Sequence, residues 1–314
     1  MKIKRVVFVL ILISACSEKS NMPEQDVVLV GIDGKKYFRP DTSENTRSKL
    51  DSAAEAAFIA WNTDNSEENY IWHGRREAYR INYNKAIIIF GEGLKKFPNS
   101  YRLLRHRGHR YITIRQFDRA VEDLQRAAEL MPKDSLETEP DGIPNKLNIP
   151  LSSTQFNIYY HLALAYYLKG DFREAENVYR KCMKVSVNDD LLCATADWLY
   201  MALRRQGHRS QADSLLASIG DSLRIIENDS YFKRILMYKG RISPDALLTV
   251  ESGNDDPDLA IATQGYGVGN WYLCNGDTTR AIDTFRKVTA GKHFSAFGFI
   301  AAESDLVRLD DRPQ

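Results

Sequence analysis

Residues 102 to 132, RLLRHRGHRYITIRQFDRAVEDLQRAAELMP, decide the fold. Gly108, Ala120 and Ala127 are small, Tyr111 and Leu124 are large, and Pro132 ends the stretch. That arrangement predicts two antiparallel helices, with the small residues where the backbones approach closely and the large ones filling the gaps between.

The same spacing returns along the chain. Gly74, Ala86, Phe90, Gly93 and Pro98 lie 34 positions before Gly108, Ala120, Leu124, Ala127 and Pro132, so residues 67–100 form a preceding unit. Tyr159, Leu162, Tyr166, Gly170, Ala175 and Tyr179 mark a unit from about Phe156, and Leu199, Leu203, Gly207, Ala212 and Leu216 one from about Cys193. Gly269, Tyr272, Gly276, Ala281 and Phe285 mark a last unit from about Ala262. The 69 residues between Cys193 and Ala262 leave room for a degenerate unit over 227–261, with Gly240 and Ala246 in place after a slip of one residue. Residues 293–314 begin with HFSAFGFIAAESDLVRL, whose apolar stripe and charged stripe predict a capping helix.

A 34-residue period with these residues resembles the tetratricopeptide repeat, whose consensus positions eight, eleven, twenty, twenty-four, twenty-seven and thirty-two fall on Gly108, Tyr111, Ala120, Leu124, Ala127 and Pro132. The resemblance covers residues 67–310 and extends to bacterial tetratricopeptide lipoproteins. It implies an all-α solenoid of about six helix pairs whose concave groove binds a protein or peptide. Carrying over the family's groove positions gives Glu68, Arg75, Tyr79, Arg102, Arg105, His109, Asn157, Tyr160 and Tyr167 from the earlier units. Asp197, Met201, Arg204, Arg205, Tyr266 and Asn270 follow from the later ones. Arg75, Arg102, Arg105 and His109 would together hold a carboxylate or other anionic group of the partner, since guanidinium forks match such groups, while the tyrosines offer flat apolar surface with a polar tip.

The chain opens MKIKRVVFVLILISAC, with Lys2, Lys4 and Arg5 before a short apolar run. This is the layout of a secretory signal over residues 1–15, too short to span a bilayer. Ile13-Ser14-Ala15-Cys16 looks like a lipobox, which implies acylation of Cys16 and anchoring through N-terminal acyl chains in a bacterial cell envelope. Ser17 resembles the outer-membrane sorting pattern. Residues 16–42 read as a tether and a β-hairpin around Asp33-Gly34, and residues 43–66 as a helix covering the first unit.

Units one and two occupy residues 67–134, and units three to six residues 156–292. Between them, residues 135–155 hold Pro140, Pro144 and Pro150 and cannot form one helix. Their Ile143, Leu147, Ile149 and Leu151 predict packing on or beside the groove.

Removing the signal takes 3 of the 43 basic residues and leaves 40 against 42 acidic ones, a balance that gives no footprint for nucleic acid. Cys182, Cys193 and Cys274 are expected as buried thiols, with a Cys182–Cys193 bridge left open. His106, His109 and His161 lack a carboxylate at metal-site spacing, and no nucleophile elbow, phosphate loop or CxxC pair occurs. The expectation is a scaffold without catalysis, cofactor or metal. The second reading is a periplasmic binding or catalytic protein that encloses a small anionic ligand with the Arg/His groove and the insertion.

Overall fold

The computed structural model describes residues 26–249 and 257–310. Cys16 and the signal lie outside the described residues, as does part of the degenerate unit. Strands β1 (Val27–Val30) and β2 (Lys36–Phe38) pair antiparallel, with Leu29 opposite Tyr37, and Gly34 takes a positive φ of 80° in the turn. Helix α1 (Glu44–Thr63) starts on the Ser43 hydroxyl and packs on α2.

Five pairs follow, α2 (Glu67–Tyr79) with α3 (Tyr83–Lys96), α4 (Tyr101–Thr113) with α5 (Phe117–Leu130), α6 (Thr154–Lys169) with α7 (Phe172–Met183), α8 (Asp189–Arg205) with α9 (Arg209–Ala217), and α10 (Asp229–Tyr238) with α11 (Pro244–Leu248). A sixth pair, α12 (Pro257–Cys274) with α13 (Thr278–Ala290), precedes α14 (Phe297–Asp310).

Local chemistry sets each pair. Side chains of Ser66, Ser100, Ser153 and Asn188 accept a backbone N–H of the first turn of α2, α4, α6 and α8, satisfying a donor that has no partner inside the helix. Each first helix then ends on a left-handed residue: Ile81, Arg115, Gly170, Gly207, Gly240 and Gly276, with φ from 64° to 91°. The next residue donates back to the helix, as His208 N–H does to the Leu203 carbonyl at 2.9 Å, which closes the last turn and reverses the chain.

The pair crossings are tight where the small residues fall. A Cβ on Gly74, Gly108 or Gly269 would stand 2.3, 2.7 or 2.5 Å from the ring of Phe90, the side chain of Leu124 or the ring of Phe285. Ala86, Ala120, Ala175, Ala212 and Ala281 are fully buried on the opposing helices. The degenerate pair departs from this: α11 is one short turn, Ala246 is exposed, and Leu247 takes the buried place.

The array closes on itself. Helix α14 packs on α12 and α13 and reaches across to α6. Gly298 permits this, since a Cβ there would lie 2.1 Å from the Ala262 carbonyl oxygen. The hairpin joins from the other end, with Tyr37 against the rings of Phe294 and Phe299 at 5.3 and 5.6 Å. Contrary to the two-stripe reading of α14, Glu303 and Asp305 are buried; they face the groove because arginines there supply counter-charge.

Cys182 and Cys193 are both buried free thiols, so the open question of a bridge resolves to none. Burial pushes each thiol up to about 12, which holds it protonated.

Candidate functional site

The concave side is largely filled by the chain's own segments. In its N-terminal half the insertion lies against α2 and α4. Thr138 bridges Ser153 as an antiparallel pair, and the Glu139 N–H donates to the Ser152 carbonyl at 3.0 Å, which turns the segment inward. Glu139 is buried and meets Arg105, Nη2 to Oε1 at 2.9 Å. Arg75 donates to the Pro140 carbonyl at 2.9 Å and Arg76 to the Gly142 carbonyl at 3.2 Å. The insertion is therefore held by charge and carbonyl contacts. Its apolar Ile143, Leu147 and Ile149 are exposed, which corrects the expectation that they drive its packing.

In the C-terminal half α14 supplies the counter-charges. Asp305, fully buried, accepts from Arg205 at 2.8 and 2.9 Å, from Arg308 at 2.7 and 3.1 Å and from the Tyr266 hydroxyl at 2.9 Å. Two guanidiniums hold its carboxyl below the usual range although burial alone would raise it. Glu303 takes the Tyr37 hydroxyl at 2.8 Å and Arg115 Nε at 2.8 Å. Between α8 and α10, Arg234 and Asp197 pair at 2.5 Å, both buried, with the Tyr238 hydroxyl on the same carboxylate at 3.0 Å. Here burial outweighs the single guanidinium and raises the Asp197 carboxyl to about 6.

These contacts redistribute the residues expected to bind a partner. Arg75, Tyr79, Arg105 and His109 do come together. Arg102 does not: its guanidinium turns to Glu68 and Glu67, at 2.5 and 3.5 Å. Asn157 holds Ser152 of the insertion at 3.0 Å, and the Tyr160 hydroxyl meets that of Tyr231 at 3.1 Å. Arg204 is spent on Tyr200 and the Cys274 carbonyl, and Tyr266 and Asn270 belong to the network around Asp305 and Tyr167. The open groove expected at those positions is replaced by internal contacts, because the superhelix curls until α14 covers it.

One hollow lies between the first two units and the residues that lead into α14. An outer chamber of about 650 Å³ is walled by Pro40, Thr42, Tyr79, Tyr83, Thr113 and residues 292–297. An inner chamber of about 110 Å³ is walled by Arg75, Phe90, Arg105, His106 and Glu139. Ala78, Tyr79, His109 and Arg110 line both. Arg110 was not among the expected residues. The sequence carried a signal for it, since Arg102, Arg105, His106, Arg107, His109 and Arg110 crowd one helix with no acidic residue.

Electrostatically this region is cationic. Burial first, then Arg105 and Arg110, hold His106, His109 and His161 well below the usual imidazole range, so all three are neutral near pH 7. Burial, with Arg105 and Arg75 adding, lowers Arg110 to about 10. The rings of His109 and His161 lie 4.2 Å apart, and among the described residues no group of three or more His, Cys, Asp or Glu side chains converges as a metal site. A third cavity, about 370 Å³ beside α1, has guanidiniums already engaged: Arg39 on Asn82 at 2.9 Å and Arg80 on Asp51 at 2.7 Å.

Comparison with known proteins bears on the helix pairs. The sequence profile of the tetratricopeptide repeat matches residues 156–187, which are α6, α7 and their turn. The match covers this one unit, and the recurrence of its crossing and turn along the described residues makes them an all-α solenoid of similar helix pairs. Similar solved structures include a tetratricopeptide repeat protein from Parabacteroides merdae, 13% identical over 83% of this chain and 94% of that one, with a TM-score of 0.47. Another is YrrB, described as having an unusual peptide-binding site, 14% identical over 81% of this chain and 100% of its own, with a TM-score of 0.43. No match was found among curated proteins.

Proposed function

We propose that the chain is a lipid-anchored scaffold of a bacterial cell envelope that binds a protein segment on the concave side of its repeats without catalysing a reaction. The observation that carries this is the outer chamber of about 650 Å³, the part of the concave side that the insertion and α14 leave uncovered. Tyr79, Tyr83 and Phe297 give it flat apolar walls and Arg110 a basic one, a combination suited to an extended segment that carries an acidic group.

A photo-crosslinking residue placed at Thr42, inside the chamber, tests the reading against one at Glu129 on the outer face. A discrete stoichiometric protein adduct from Thr42 and none from Glu129 is expected; the same adducts from both positions would overturn it. Anchoring rests on the residues around Cys16, with Ser17 favouring the outer membrane. Cys16→Ala is expected to abolish labelling by radioactive palmitate and to release the protein from the membrane fraction, and retention of both would remove the anchor from the proposal.

A further inference from the structure

We propose that the outward face of the N-terminal hairpin docks on the lipid surface to which the chain is anchored. This deepens the reading of the protein as lipid-anchored and rests on it.

The two faces of the hairpin differ. Leu29 and Tyr37 sit opposite one another and are buried. The Tyr37 hydroxyl donates to Glu303 at 2.8 Å, and a Cβ on Gly31 would lie 2.2 Å from the same carboxylate, so the hairpin is held in one orientation on the body. Side chains alternate along a strand, and cross-strand partners share a side. Phe38 with its partner Val27, and Lys36 with its partner Val30, therefore project away from the body. The irregular register between Val27 and Leu29 turns Val28 inward as well, which is what leaves both Val27 and Val30 outside. Val27, Val30 and Phe38, with Ile32 in the turn, are 45, 49, 40 and 39% exposed. The Lys36 side chain makes no hydrogen bond or ion pair among the described residues.

What covers this face follows from where the chain comes from. The ten positions from Cys16 to Asp26 span at most about 36 Å however they run. Once Cys16 carries acyl chains, Val27 stays within that distance of the bilayer, and such confinement keeps a face engaged that is too weak to bind on its own. Four side chains, each less than half exposed, present far less than the ~800 Å² per partner that a stable protein interface buries, which argues against a second copy. A lipid surface asks for less. Apolar tips reach the acyl boundary, Lys36 extends its charge to the phosphates, and the strand backbones stay at the headgroups, where water satisfies their outer edges. Asp26 and Asp33 offset Lys35 and Lys36, so docking rests on apolar contact and needs no anionic lipid.

Acylated protein reconstituted into phosphatidylcholine vesicles tests this, with an environment-sensitive fluorescent residue encoded at Ile32 or, for comparison, at the exposed Glu129. Spin-labelled lipid should quench the probe at Ile32, whose emission should also shift to the blue, and neither change should occur at Glu129. Val30→Glu combined with Phe38→Ser should abolish both effects at Ile32, while the protein stays on the vesicles and its circular dichroism is unchanged. Quenching retained in that double variant would mean that the tether alone brings Ile32 near the lipid, and the inference would be overturned. An anchored protein with no quenching at Ile32 overturns it too. A blue shift without lipid quenching that grows with protein density identifies a second copy as the occupant and likewise overturns it. All three leave the anchor standing, because that is read separately from palmitate on Cys16. A chain that takes up no palmitate and does not sediment with vesicles removes anchor and docking together.

Discussion

In the C-terminal half of the groove the guanidiniums of Arg205 and Arg308 converge on Asp305, and Arg234 sits on Asp197 with both side chains almost fully enclosed. In the N-terminal half Arg75 and Arg110 line a hollow with no carboxylate in ion-pair contact among the described residues; Asp141 is near Arg75 without pairing, and Glu139 pairs with Arg105. Helices of one repeat family wall both halves. Neutralised, well-filled charge marks where the array is locked shut, and unanswered charge beside empty volume marks where a ligand fits.

The largest effect that tests this contrast is expected at Asp305. Replacing it by Ala leaves Arg205, whose side chain is 8% exposed, without its counter-charge and strips Tyr266 of its acceptor. Loss of one partner of a buried pair costs about 3–5 kcal/mol, so Asp305→Ala should lower the urea midpoint steeply. A loss below about 1 kcal/mol would show that α14 is not locked by charge, and the contrast would collapse.

The next separates the two locks by pH. Asp305 is depressed below its ordinary value, so its contribution is present above pH 3.8 and is lost as pH falls through the folded value. Asp197 runs the opposite way: raised from 3.8 to about 6, the folded state holds its proton longer than the unfolded chain, and stability falls as pH climbs across that window. One guanidinium serves Asp197 where two serve Asp305, which is why burial wins only at the former. Carbon-detected carboxylate titration should show Asp197 protonating near pH 6 and Asp305 still ionised at pH 4. Titration of the two together would merge the locks into one class.

A smaller effect belongs to the turns, which also differ between the halves. The first two pairs place Ile81 and Arg115 in the left-handed conformation, and the later pairs place glycine there. Gly207, at φ 78°, has open space where a Cβ would go, so Gly207→Ala tests backbone strain alone and should cost about 1–2 kcal/mol by chemical denaturation. An unchanged midpoint would mean that the later turns do not depend on glycine either.

Much of this was readable beforehand for a physical reason. Close helix crossings demand Gly or Ala, so Gly74, Gly108 and Ala120 announce the repeat without context. Ile81 and Arg115 hide the matching turns because a large side chain does not announce a positive φ. The closure by α14 was hidden as well. Glu303 and Asp305 look like an ordinary solvent stripe until Arg115 and Arg205, 188 and 100 residues earlier, are seen to meet them. The carried-over groove positions place Arg75, Tyr79, Arg105 and His109 around one hollow, whereas Arg204, Tyr266 and Asn270 are engaged inside the array, because their surroundings depend on how far the superhelix curls. Arg110 escaped because it lies one step from the carried-over position of His109, where helix rotation decides which cation reaches the hollow.

That same residue supplies the smallest effect. Arg110 has no carboxylate to lose, and its contact with the Tyr83 ring, at 5.8 Å, contributes about 0.5 kcal/mol at most for a partly exposed cation. Against it stands repulsion from Arg105 and Arg75, which Gln removes while keeping most of the side chain's length. Gln also relieves the burial of the charge, the largest cause that lowers Arg110, so Arg110→Gln should cost no stability and leave the urea midpoint unchanged or raised. A urea series run beside Asp305→Ala measures both on one scale. If Arg110→Gln costs as much as Asp305→Ala, the N-terminal cations are structural after all, and the hollow they line is a packing defect rather than a place kept for a ligand.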